Sequence, residues 1–87
     1  MTPTEIEAAR ACYIEALSTE RDAAMATTAQ PSRAILLRSA AWLAVNAGDF
    51  AEALRLADLG LSDPTTLGRC AAELLEVHKA AHDGLTP

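Results

Sequence analysis

Two histidines, His78 and His82, stand four residues apart, a spacing that on a helix lets two imidazoles reach one metal ion. A third ligand would have to be Asp83 or Cys70, and no Glu follows His78, so the zinc-protease pattern is absent. Both histidines therefore read as solvated or helix-end side chains, placed where the helix dipole favours a cation. The two cysteines, Cys12 and Cys70, lie far apart in helical contexts and read as buried thiols serving as small apolar side chains in a reducing compartment. Neither Ser32 nor Ser39 has a neighbouring base that would make it a nucleophile, and the four glycines are dispersed, so no phosphate loop exists. The expectation is a protein that is not an enzyme, with no cofactor and no metal. A small metal- or thiol-dependent enzyme built on His78, His82 and Cys70 is the rival from another class.

One row of side chains suits binding better than catalysis. Arg38, Trp42 and Asn46 fall at i, i+4 and i+8 and so share one helical stripe. A guanidinium can take a carboxylate, an indole supplies apolar contact and an amide can bond a backbone. The alternative is that Trp42 packs against the first helix while Arg38 and Asn46 are solvated.

The elements that carry this row are marked at both ends. Ile35, Leu36, Leu37, Ala40, Ala41, Leu43, Ala44 and Ala47 recur at three and four residues, which predicts a helix over 31–47 with one broad buried face. Pro31 suits its first position, and Gly48 suits the residue just past its end, where a positive φ costs nothing. Asp49, with Glu52 three residues on, then caps a second helix over 50–61, whose apolar positions are Phe50, Ala53, Leu54, Ala57 and Leu61, widened by Leu56 and Leu59. A link this short predicts an antiparallel helical hairpin. Upstream, Thr2, Pro3 and Glu5 mark the start of a helix over 3–26. Downstream, Asp63 and Pro64 predict a fourth helix over 64–82, with Leu67, Cys70, Ala71, Leu74, Val77 and Ala81 inward, Glu73, Glu76 and Lys79 outward, and a stop at Asp83-Gly84. The fold class expected is all-α, a four-helix antiparallel array in one domain of 87 residues: an N-terminal helix within 1–30, the hairpin 31–63, a covering helix 64–83 and a tail 84–87.

The stretch from Pro31 to Pro64 resembles a tetratricopeptide repeat. Leu37, Ala41, Gly48-Asp49-Phe50, Ala53, Leu61 and Asp63-Pro64 match that family's pattern of bulky and small positions, turn and terminus. Ala40, Ala44 and Ala57 stand where larger residues are usual, Gly60 replaces an Ala, and the run to Asp63-Pro64 is one residue short. Ala9, Tyr13, Ala16 and Leu17 look like half of a preceding repeat. The resemblance implies a groove lined by the first hairpin helix, hence by Arg38, Trp42 and Asn46, and makes the last helix a cap over the open end of the array.

Composition sets the scale of the core. Apolar residues make up 51% of the chain, yet 20 of them are Ala and only three are aromatic. Ala favours helix and loses no side-chain entropy, but it supplies little area at roughly 25 cal/mol per Å². A chain this short with one clear repeat is expected to self-associate, because such arrays need about three units. The net charge of −5 and the lack of a Lys/Arg cluster argue against nucleic acid. No long apolar run or leader is evident, which reads as cytoplasmic with no membrane partner. The functional expectation is a non-catalytic adaptor or scaffold module binding a protein segment or helix, with a self-associating structural bundle, a homo-oligomer, as the alternative.

Overall fold

A computed structural model describes residues 1–86; Pro87, the last residue of the expected tail, lies outside them. The fold is all-α. Helices α1 (Pro3–Ala26), α2 (Ser32–Ala47), α3 (Phe50–Leu61) and α4 (Gly68–Leu85) make it 81% helical, with no strand among the described residues. Helix α2 is central: α1, α3 and α4 all pack on it, α3 also packs on α4, and the backbone of α1 approaches α2 alone.

Local bonds set most of the helix ends. The Thr2 hydroxyl caps α1 by accepting from the Glu5 N–H at 3.2 Å, and it donates to the Glu5 carboxylate at 3.1 Å. Gly48, at φ +78°, ends α2, and the Asp49 N–H donates back to the Ala44 carbonyl at 2.9 Å. The Asp49 carboxylate then accepts from the Glu52 N–H at 3.2 Å and starts α3.

Three boundaries differ from the sequence reading. Pro31 stands one residue before α2 rather than as its first residue, and the Gln30 side-chain oxygen accepts the Ala34 N–H at 2.9 Å. Asp63 does not cap α4. Its carboxylate accepts from the Thr65 N–H at 2.9 Å and the Thr65 hydroxyl at 2.6 Å, closing a local turn that delays α4 to Gly68. At the other end α4 runs through Gly84 to Leu85. A Cβ at Gly84 would lie 2.7 Å from the Phe50 ring, so this glycine serves a close approach instead of a stop.

The core is made of small residues. Leu37, Leu56, Leu74 and Val77 are its largest fully buried side chains, and Ala24, Ala40, Ala41, Ala44, Ala53, Ala57 and Ala81 fill the rest. Leu56 lies at the centre of the α3 face rather than at its margin, whereas Ile35 and Leu67, expected inside, are exposed. Gly60 lets α4 come close, since a Cβ there would sit 2.5 Å from Leu74 Cδ1. Away from the core, the loop before α2 is tied to the loop before α4: the Gln30 amide donates to Asp63 at 3.0 Å and to the buried Thr66 hydroxyl at 3.4 Å, while Arg33 lies 3.7 Å from Asp63.

Candidate functional site

With α1, α3 and α4 packed around it, α2 buries Ala34, Leu37, Ala40, Ala41, Ala44 and Ala47 and leaves one lengthwise strip partly covered. Ile35, Arg38, Trp42 and Asn46 lie along that strip, the first at one end and Asn46 at the other. Ile35 is 41% exposed and Asn46 is exposed. Trp42 is half-buried, its ring packed on the edge of the core, so neither a fully open indole nor a fully buried one describes it.

Arg38 departs from the sequence reading. Its guanidinium donates to the Glu73 carboxylate at 2.8 Å, and the Cys70 sulfur lies 3.9 Å away, so the fold itself supplies the anion expected from a ligand. Glu73, expected on the outer face of α4, is turned toward α2 by this pair. No sequence signal marks it, because the partners are 35 residues apart and the rotation of α4 about its axis decides the contact. About a quarter of the Arg38 side chain remains exposed.

Between α1 and α2, beside this strip, is a groove of about 550 Å³ that the sequence reading missed. Cys12, Glu15, Ala16, Thr19 and Glu20 of α1 line one wall and Leu43 of α2 the other. Such a groove leaves no mark in the sequence, since it depends on the angle at which two helices cross. Cys12, expected to be buried, is exposed within it, and Cys70 is half-buried.

The residues of the enzyme reading, Cys70, His78 and His82, all lie on α4. His78 Nε2 lies 3.3 Å from Asp58 Oδ1 on α3, whereas the His82 carbonyl accepts from Thr86 at the end of α4. Among the described residues, no three His, Cys, Asp or Glu side chains gather as a metal site. No helix among them is long and apolar enough to cross a membrane. Comparison with protein-family models, with curated proteins and with solved structures finds no match to this chain.

Proposed function

We propose that this protein is a non-catalytic interaction module that binds a segment of another protein along the partly covered strip of α2. The observation that carries the reading is the state of Trp42: a lone tryptophan held half-buried at the core edge, with exposed Ile35 and Asn46 in line with it. A rigid aromatic anchor flanked by apolar and amide side chains is the composition of an interface centre. Arg38 is held in place by Glu73 and so loses little further freedom when it meets a partner's acceptor. The repeat-like reading of α2 and α3 rests on their residue pattern and agrees with this use of the first hairpin helix.

The test uses exposed positions, so that folding is left intact. Ile35→Glu and Asn46→Glu are expected to weaken capture of a native partner by tenfold or more, about 1.4 kcal/mol, while moving stability by no more than about 0.5 kcal/mol. Full retention of the partner by the double variant, with an unchanged circular dichroism spectrum, would overturn the reading.

A second reading, self-association, is favoured by a separate observation. Ile6 and Tyr13 lie on the same stripe of α1 as buried Leu17 and Ala24, yet they remain 46% and 38% exposed, and Ile14 beside them is 53% exposed. Helix α1 is about 36 Å long and α2 about 24 Å, so the core-facing stripe of α1 outruns its only packing partner. Glu5, Glu7 and Arg10 give this overhang charges of both signs, which suits pairing with a second copy.

A further inference from the structure

We propose that the groove between α1 and α2 receives the apolar anchor of a partner peptide whose flanks carry Lys or Arg. This rests on the reading of α2 as the binding helix and adds the chemistry of what it binds. Three observations carry it.

The first is lining: Leu43, Ala16 and Cys12 give this open groove an apolar wall. It is open to solvent along one side, which suits side chains entering from a segment laid over the helices better than an enclosed small molecule. The second is charge. Glu15 and Glu20 stand at the groove and neither is within 4.0 Å of a basic side chain. The nearby cations are used elsewhere: Arg21 lies 4.0 Å from Glu52, Arg38 is bonded to Glu73, and Arg33 pairs with Asp63. Three arginines are thus paired with other carboxylates and Arg10 lies over Gly48 at the end of α2, which leaves Glu15 and Glu20 beside an apolar wall. An acidic peptide would be repelled there, and a neutral apolar one would leave both carboxylates without partners. The third is position, because Leu43 follows Trp42 in the chain and brings the groove against the edge of the strip, so one segment can reach both. A chain with net charge −5 also steers a basic segment toward itself at low salt.

The test uses two synthetic peptides of twelve residues with Leu at the same helical positions, one flanked by Lys and the other by Glu, followed by calorimetry and by Trp42 emission. The Lys peptide is expected to bind at least tenfold more tightly than the Glu peptide, and to weaken as salt is raised. Glu15→Gln with Glu20→Gln is expected to weaken it fivefold or more, whereas the control pair Glu76→Gln with Asp83→Asn on α4, equal in charge and remote from the groove, leaves it within twofold. Thr19→Lys, an exposed change that fills the groove and adds a like charge, is expected to abolish binding. Equal loss in the groove and control pairs would reduce the effect to net charge and overturn the proposal, as would equal affinity for the two peptides or none for either. A native partner lost with Ile35→Glu and Asn46→Glu but indifferent to Glu15→Gln, Glu20→Gln and Thr19→Lys would overturn the groove proposal alone and leave the adaptor reading standing.

Discussion

At the scale of single residues, Gly60 is the glycine with the least room for a side chain, its Cβ position lying against Leu74. Gly60→Ala gains about 1 kcal/mol of helix propensity, but its methyl meets Leu74 at 2.5 Å, an overpacking worth about 1–3 kcal/mol, so net destabilisation is expected. Leu74→Ala alone is expected to cost about 2–5 kcal/mol through its cavity. Combined, the two should cost less than their sum by about 0.5–3 kcal/mol, because the new methyl occupies the room that Leu74 vacates; urea unfolding that shows strict additivity would refute this contact. Asp63 supplies a test in pH. The Thr65 hydroxyl above all, then the Thr65 N–H, Gln30 and Arg33, hold its carboxyl below the usual aspartate range. A folded value below the unfolded one of about 3.9 means that the ionised form stabilises the fold fully above about pH 4, and that this contribution is lost as pH falls through the depressed folded value. Thermal melts of Asp63→Asn should therefore decline less steeply with acid below about pH 4 than those of the wild type, and parallel curves would count against the turn.

At the scale of elements, the unequal lengths of α1 and α2 determine what is left uncovered. The part of α1 around Leu17 and Ala24 is pinned by α2, Tyr13 and Ile14 remain exposed beside it, and the segment carrying Ile6 projects beyond it. Arg10 marks the point where α2 runs out: its guanidinium lies over Gly48, near the carbonyl end of α2, where a cation is favoured. If a second copy covers Ile6, Tyr13 and Ile14, sedimentation at micromolar concentration should give a species heavier than 9.1 kDa, and Ile6→Glu with Tyr13→Glu should return it to the monomer with helicity retained. A wild-type chain that stays monomeric and folded on dilution would remove the self-association reading. The start of α4 teaches a related lesson, since Asp63-Pro64 has the residue types of a helix start, yet the Thr65 bonds and the Gln30 bridge take the Asp63 side chain for a turn.

At the scale of the whole molecule, the helices form a thin slab of 42 × 28 × 18 Å with a radius of gyration of 13.0 Å, against about 12 Å for a compact chain of this length. Far-UV circular dichroism should report more than roughly 70% helix, about twice the soluble average, and a value near 40% would contradict the architecture. The sequence by itself determined the number of helices, the residue limits of α1 and α3, and the caps at Thr2, Gly48 and Asp49, because each depends on hydrogen bonds that close within a few residues. It also carried the stripe of Arg38, Trp42 and Asn46, since helical spacing is local. Periodicity also placed Leu37, Ala41, Ala44, Ala53, Ala57, Leu74, Val77 and Ala81 inside, while only the tertiary structure decided the final rotation of each helix. In α2 apolar residues occupy nearly every side, so periodicity left Ile35 and Leu36 equally eligible for the core, and packing exposed one and half-buried the other. The Arg38–Glu73 pair, the Gly60–Leu74 and Gly84–Phe50 approaches and the groove at Leu43 all join residues more than a dozen positions apart. Their existence depends on helix rotation and crossing angle, which are fixed by the contacts of all four helices together and by no local pattern.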